Sequence, residues 1–599
     1  MASLPDTFVL LEGAFSGADG GSAFYSEPIR IILASKAGDV PAALASLDKA
    51  LAEGHHVAGF LAYELGYALE PHLTALMPPG RSMPLISMGV FNAPSSCPEL
   101  PAGPIRPAAE FTPNIGPDAY RQGVERILEY IRAGDVYQVN FTLALSFERP
   151  DEPLALYQTL KRNQPVAYPA ALRFDGNTLL SLSPELFFCI ENGVITTRPM
   201  KGTAPRARFL MDDRTAGLAL QCDVKNRAEN LMIVDLMRND LSRISKIGTV
   251  RVPQLFTLET YRTLHTLTST VQGELKPDVR PSDVVRALFP CGSVTGAPKI
   301  RAMEIIRELE RSPRGVYTGA IGVFRPDGSA CFSVAIRTLS IPARGPATIG
   351  VGGGIVADSD AASEAAETRL KARFFSGLPS DAADQAPLKL IETLRWDPAL
   401  GFAHIDRHLR RLADSAAYFA MPLESAGAER TLTERAANYT GAMRVRLTLD
   451  ESGVIEITDA PLGADRAHWR YAVSEQMIKS DDPYRAHKTT RRALYDKEYA
   501  RLSKQGCDEV LFLNERGELV EGSRSNLFIE HDGKLLTPPV GSGALPGTLR
   551  AELIDSGQAK EAVLVLEDLD EAGAVYFGNS VRGLKRAERA KARTLQRTT

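Results

Sequence analysis

The sequence predicts an α+β protein of two successive domains, a large one rich in strands and a smaller one mixing helices with strands. Three observations predict it. The chain has 599 residues, and at roughly 100–200 residues per domain one core is not enough. Strand-like and helix-like patterns in the first 376 residues are interleaved but segregated, as in α+β architecture. Residues 378–387 are small, polar and Pro-containing, which disfavours regular structure and reads as a linker. The division expected is therefore 1–378 (an N-terminal portion, 1–116, and a core, 117–376), a linker at 379–387, and 388–599.

The elements follow from periodicity. Between Tyr120 and Gly134 the apolar residues Val124, Ile127, Leu128 and Ile131 fall on one helix face, and Gly134 stops the helix. Tyr137, Val139, Phe141, Leu143, Leu145 and Phe147 then alternate with polar or small residues, predicting a strand with one buried face. Further strands are expected at 179–189, 317–324, 330–341 and 347–351, with helices at 226–238 and 298–311. A second Pro-rich stretch, 98–113, connects parts of the first domain. After residue 387, helices are expected at 407–419 and 491–505 and strands at 509–514 and 526–531.

Composition excludes more than it selects. Apolar residues make up 44% and charged residues 24%, and the net charge is −4. That balance points to neither nucleic acid nor an acidic membrane as partner. The six cysteines have no C-x-x-C spacing, so metal and dithiol motifs lack support, and scattered thiols fit a cytoplasmic setting. No leader-like N-terminus and no long uncharged apolar run is present, so neither secretion nor a membrane span is expected. No tandem repeat emerges.

Five segments of the first domain carry more polar residues and glycine than packing needs: 198–203, 225–236, 290–299, 332–337 and 352–359, the last followed by Glu364 and Glu367. Arg337 lies opposite the Phe332, Val334 and Ile336 face of its expected strand, where a guanidinium can clamp a carboxylate. Gly352, Gly353 and Gly354 would let backbone N–H groups approach an anion, as a nest or a tight turn. Pro298 would open a helix whose N–H groups face outward. Glu229 and Glu367 are oxygen donors of the kind Mg²⁺ prefers. Taken singly, each also reads as a surface charge or a turn, and His265 as a core histidine.

In this order the segments resemble the chorismate-utilising family, which includes anthranilate synthase, isochorismate synthase and aminodeoxychorismate synthase component I, over residues 117–376. The resemblance implies a large antiparallel β-sandwich with flanking helices. It also implies substrate contacts from Arg337, Tyr317, Thr295 and Gly352–Gly354, a Mg²⁺ site at Glu229 and Glu367 with Glu364 beside them, and an active-site role for His265. Lys201 stands where anthranilate synthases carry a small residue and resembles the aminodeoxychorismate branch. A desolvated lysine can act as a nucleophile, and Glu185 matches the residue that would protonate the departing hydroxyl. Two positions depart from the family: Asn226 replaces an acid found in some relatives, and Gly13 replaces the serine of a tryptophan-binding motif at 10–13.

The second half resembles class IV pyridoxal-phosphate enzymes over 388–599, through residues 484–491, 519–528, 545–550 and 577–583. The resemblance implies a two-subdomain α/β fold. Lys488 matches the cofactor-bearing lysine and Glu521 the acid facing the pyridine nitrogen. Arg411, Ser580 and the Gly547–Thr548–Leu549 helix start match the phosphate cup. Ser525 and Asn526 match further cofactor contacts. The strand pair that usually precedes the 391–393 region is missing, so a small subdomain that is trimmed, or completed by the first domain, is expected. Together the resemblances imply 4-aminobenzoate synthesis from chorismate. Ammonia would come from a separate glutamine amidotransferase subunit, because no glutaminase segment is visible, and a homodimer through the second domain is a further expectation. An anthranilate or isochorismate synthase joined to an amino-acid aminotransferase is the alternative.

Overall fold

The computed structural model describes residues 4–16, 21–101, 110–262, 264–376 and 387–590. The chain divides into two compact units: residues 1–206 with 216–380, and residues 381–599 with 207–215. Most of the expected linker, and Pro107 of the earlier Pro-rich stretch, lie outside the described residues.

Among the described residues, the first unit holds a nine-stranded and a ten-stranded sheet. The strand Gln138–Phe147 pairs with Ala347–Ile355 in the first, and all its ladders are antiparallel. The second includes Met200–Pro205, Leu264–Glu274, Leu186–Glu191 and Ala330–Val334. One apolar cluster takes Val9, Leu11 and Leu172 from one sheet and Ala58, Phe60 and Ile321 from the other, so the sheets share a core. Helix Val224–Ser242 packs on the second sheet through Ile233, Val234 and Met237. Its N-cap is Asp223, which accepts the Asn226 backbone and side-chain N–H groups. Asn226 is therefore the donor that the Asp223 cap satisfies.

Two expected strands are broken, and the breaks place the chemistry. The 179–189 run is two strands, Asn177–Ser183 in the first sheet and Leu186–Glu191 in the second. The 330–341 run is likewise two strands, Ala330–Val334 in the second sheet and Thr338–Ile341 in the first. The chain crosses between sheets at Pro184–Glu185 and at residues 335–337. The crossings are stitched together by Val334 N–H to Glu185 O (3.1 Å) and Leu182 N–H to Arg337 O (3.0 Å). Arg337 is turned to φ 49° there, a conformation that disfavours any residue with a Cβ by about 1–2 kcal/mol. Periodicity could not reveal the breaks, because both halves of each run are apolar and buried. The strand within the expected 317–324 run also begins later, at Ala320, leaving Tyr317 in the preceding turn.

A third correction concerns Gln138–Phe147. Tyr137, expected on the buried face, is 67% exposed, whereas Gln138, Asn140 and Thr142 on the polar face are buried. Val139 and Phe141 of the apolar face are buried too, so over residues 138–142 both faces are covered.

In the second unit, the antiparallel strands Gly401–Phe402, Lys389–Asp397, Met443–Asp450 and Ile455–Pro461 form one sheet. Helices Ile405–Tyr418 and Ser425–Ala436 cover it through Leu412, Ala416, Ala428 and Leu432. An eight-stranded mixed sheet follows, with parallel pairs such as Trp469–Val473 on Glu509–Leu513. No helix among the described residues is long and apolar enough to cross a membrane, and all six cysteines are free.

Candidate active sites

In the first unit, Lys201 sits on Met200–Pro205, opposite Leu267 and beside a bulge at Gly202. Burial pushes its amine pKa down, and the neighbouring carboxylates Glu185 and Glu229 only partly oppose this. Glu185 is fully buried at the sheet crossing, and burial pushes its carboxyl pKa up. Its Oε1 accepts hydrogen bonds from Ser293 Oγ (2.6 Å) and from the Met200 N–H (3.4 Å). An amine driven toward neutral and a carboxyl driven toward protonated thus share one dry site, the arrangement that separates nucleophile from acid.

The glycines act differently from expectation. Gly352, Gly353 and Gly354 lie inside Ala347–Ile355, paired with Thr142, Phe141 and Asn140, so they form neither nest nor turn. They leave room. A Cβ on Gly354 would lie 3.0 Å from the Gln138 amide and 3.1 Å from Lys201 Nζ, and one on Gly353 would lie 3.2 Å from Glu364 Oε2. The Gln138 side-chain amide is buried, and among the described residues neither of its polar atoms has a hydrogen-bond partner. An orphaned amide beside the reactive amine is a position for a ligand. Sequence alternation assigned Gln138 to the solvent face and so missed it.

Arg337 is half-buried, and desolvation pushes its pKa down; among the described residues no acid pairs with it. Tyr317 is half-buried too, and desolvation pushes its phenol pKa up; its ring lies against Gly350, where a Cβ would fall 2.1 Å from Cγ. Thr295 is wholly buried and donates from Oγ1 to Cys291 O (2.8 Å). His265 is buried, with Nδ1 3.0 Å from Thr260 Oγ1. Lys299 opens the helix after Pro298 and pairs with Asp240 at 2.6 Å, so that N-terminus already carries a cation.

The three expected metal ligands are within electrostatic range of one another. Burial pushes Glu229 and Glu364 up; Glu364 and Glu367 raise Glu229 further, and Glu367 raises Glu364. Glu364 accepts from Ser359 Oγ at 2.6 Å. Burial opposes ionisation of Glu367, but Lys371 at 2.8 Å and Lys201 hold its pKa low. Lys371 also donates to Gly352 O (3.0 Å). As hard oxygen donors the three suit Mg²⁺ in kind, although no set of three is gathered at ligating distance among the described residues. At the N-terminal motif, Glu12 accepts from Tyr157 Oη (2.5 Å) and Lys161 Nζ (2.8 Å), and a Cβ on Gly13 would meet Ala167 O at 2.6 Å.

In the second unit a cavity of about 580 Å³ is lined by Lys488, Glu521, Arg411, Asn526, Thr548 and Ser580, with Ser525, Gly547 and Leu549 also on its wall. Burial pushes the Lys488 amine down to about 8, and the guanidinium groups of Arg411 and Arg492 push it the same way. Glu521 is buried and accepts from Tyr495 Oη (2.9 Å) and the Leu545 N–H (3.0 Å). Asn526 Nδ2 donates to Leu545 O at 3.0 Å, and Asn579 Nδ2 to Ser525 Oγ at 3.0 Å. The helix Thr548–Asp555 starts at Gly547 with no side-chain cap, so its first N–H groups are open to an anion.

Glu392 and His408 organise this wall, and sequence reasoning overlooked both. Glu392 is buried and accepts from Arg411 Nε (2.9 Å), Arg411 Nη2 (2.6 Å) and His408 Nδ1 (2.6 Å). His408 Nε2 lies 3.0 Å from Ser580 Oγ and 3.2 Å from Thr548 Oγ1. One carboxylate thus orients an arginine, a histidine and, through the histidine, two hydroxyls. An arginine held by Glu392, an uncapped helix start and a lysine with a lowered pKa fit a phosphorylated cofactor with a reactive carbonyl.

These features define a chorismate-binding protein with a class IV aminotransferase unit behind it. The chain belongs to the chorismate binding enzyme family, whose sequence model matches residues 24–377. A model for amino-transferase class IV matches residues 389–589. An aminodeoxychorismate synthase of Streptomyces pristinaespiralis is 47% identical over 255 residues, 42% of this chain and 35% of that protein. Aminodeoxychorismate synthase component 1 of Escherichia coli is 43% identical over 263 residues, 43% of this chain and 57% of that protein. Anthranilate synthase component I of Streptococcus pneumoniae, a solved structure, is 26% identical with a TM-score of 0.52, covering 63% of this chain and 93% of that one. The chain spans between about a third and just over half of these two curated relatives' lengths.

Proposed function

We propose that the protein makes 4-aminobenzoate in two steps, as an aminodeoxychorismate synthase (1–378) joined through 379–387 to an aminodeoxychorismate lyase (388–599). The observation that carries the first step is Lys201, buried and driven toward its neutral form beside the buried acid Glu185. The Lys201 amine forms a bond to the chorismate ring while the bond to the 4-hydroxyl breaks. Glu185 gives that oxygen its proton, so water leaves. Ammonia then forms its bond at the 4-position and Lys201 departs. Arg337 holds a ring-acid carboxylate, and Tyr317, Thr295 and His265 line the same pocket. Glu229, Glu364 and Glu367 would hold Mg²⁺, which would neutralise a substrate carboxylate. We also read the two sheets of the first unit as a sandwich and the second unit as two subdomains.

The product, 4-amino-4-deoxychorismate, is the substrate of the second step. Pyridoxal phosphate, when bound, supplies an electron sink beside the substrate amine. Arg411, Ser580, Thr548 and the Gly547 helix start grip its phosphate. Glu521, fixed by Tyr495, faces its ring nitrogen. Lys488 takes the proton from the carbon bearing the amine; the bond to the enolpyruvyl oxygen breaks, pyruvate leaves, and the ring becomes aromatic. A glutamine amidotransferase subunit supplies ammonia, the setting is cytoplasmic, and the second unit forms a homodimer.

The test is to incubate the protein with chorismate, ammonium, Mg²⁺ and pyridoxal phosphate and identify the products. 4-Aminobenzoate with equal pyruvate is expected, abolished by Lys201→Ala and stalled at 4-amino-4-deoxychorismate by Lys488→Ala. Anthranilate as product, or transamination with 2-oxoglutarate, would overturn the assignment.

A further inference from the structure

The cavity of the second unit carries more positive charge than a phosphate and an active lysine require. In strand Met443–Asp450, Val445, Leu447 and Leu449 are buried in the core under the helices. The alternation turns Arg444 and Arg446 to the opposite face, and both line the cavity. Arg446 stands in register between Thr393 of one neighbouring strand and Thr458 of the other, and both threonines line the same wall, so its cross-strand neighbours carry no charge. Arg492 and Arg524 also line the cavity; Arg492, Arg444 and Arg524 repel Arg446 electrostatically, and Asp496, itself paired with Arg492, partly offsets them.

The acids nearby are engaged elsewhere. Asp459 accepts from Arg435 Nε (2.5 Å) and Tyr439 Oη (2.9 Å). Asp465 pairs with Lys585 at 3.0 Å, and Asp496 with Arg492 at 3.0 Å. Among the described residues, no acid pairs with Arg444, Arg446 or Arg524. Arg524 is held by stacking, its guanidinium 3.8 Å from the centroid of the Tyr499 ring, which leaves its N–H fork free. Acids line the cavity too, but none forms an ion pair with Arg444, Arg446 or Arg524 among the described residues, and guanidinium groups left without a paired acid favour an anion there. A carboxylate is satisfied by a single guanidinium fork, so several unpaired forks on one cavity suit a ligand with more than one carboxylate.

We propose that Arg446, with Arg444 beside it and Arg524 on the same cavity, is a substrate-binding site that selects a dicarboxylate over a monocarboxylate. The inference rests on the reading of the second unit as a lyase, and it names the feature that recognises that lyase's substrate. An amino acid presenting one α-carboxylate would leave the remaining guanidinium groups unpaired and would be held weakly.

The experiment uses the full chain loaded with pyridoxal phosphate, as wild type, Arg446→Gln, Arg446→Lys and the double variant Arg444→Gln/Arg446→Gln. Three quantities are measured: KM and kcat for 4-amino-4-deoxychorismate, calorimetric binding of isophthalate against benzoate, and the affinity for pyridoxal phosphate. Wild type is expected to bind isophthalate roughly tenfold or more tightly than benzoate, and Arg446→Gln to raise KM by a similar factor while kcat moves little. Arg446→Lys restores part of the loss, the double variant erases the preference, and cofactor affinity stays constant. An unchanged KM and preference in the double variant would overturn the proposal. So would a loss of cofactor affinity in step with KM, because Arg446 would then serve the phosphate. If wild type makes no 4-aminobenzoate yet keeps an Arg446-dependent preference for isophthalate, the dicarboxylate site stands and the lyase reading fails.

Discussion

Glu392 holds the cofactor wall together, so replacing it tests the electrostatic account directly. Burial alone would raise its pKa, but the Arg411 guanidinium and His408 bring it from 4.5 down to about 2. At about 1.4 kcal/mol for each tenfold in proton affinity, that depression is worth ~3 kcal/mol. The folded-state pKa lies below the unfolded one, so the stabilisation is fully present above about pH 4.5 and disappears as pH falls through about 2. Glu392→Gln keeps the shape, removes the charge and turns an N–H₂ group toward Arg411 or His408, both donors. Breaking one side of a buried pair costs about 3–5 kcal/mol, which agrees with the first figure. The assay is urea unfolding at pH 7 followed by tryptophan fluorescence. The chain has two tryptophans, Trp396 and Trp469, both in the second unit, so the signal reports that unit alone. A midpoint lowered by roughly 1 M urea is expected, together with weakened cofactor binding. A loss under about 1 kcal/mol would refute the reasoning, since Arg411 and His408 would then be held by other contacts.

Other predictions concern single side chains. Lys488 has a folded pKa of about 8 against 10.5. The cofactor-free protein is therefore destabilised below about pH 8 and recovers as pH rises toward 10.5, so Lys488→Met should raise the stability of the second unit by ~3 kcal/mol at pH 7, read by the same fluorescence. Gly354→Ala places a methyl group 3.1 Å from Lys201 Nζ. It should depress formation of 4-amino-4-deoxychorismate by about tenfold or more while turnover of supplied 4-amino-4-deoxychorismate is unchanged. Arg337→Gln should raise KM for chorismate roughly tenfold to a hundredfold, the value of a charge-assisted hydrogen bond at a half-buried site, with the fold intact by circular dichroism.

Much of this was legible in the sequence. Helices such as Pro117–Arg132 and Ile405–Tyr418 arise from local periodicity and strands such as Asn526–His531 from short apolar runs, signals that depend only on which residues face a core. The resemblance to chorismate-utilising and class IV families was carried by short polar motifs at Lys201, Arg337, Lys488 and Glu521. Periodicity is blind to which sheet a buried strand joins, so the two crossings that carry Glu185 and Arg337 appeared only in the tertiary structure. It is equally blind to a polar face turned inward, as at Gln138, and to a glycine run that makes room for side chains far along the chain. Glu392, His408 and Arg446 sit in stretches that read as ordinary amphipathic strand and helix. Their roles come from partners more than a dozen residues away, or from the absence of any acid partner. Sequence alone determined the residue types and the local elements; the long-range contacts that set burial, charge pairing and proton affinity exist only once the sheets have packed.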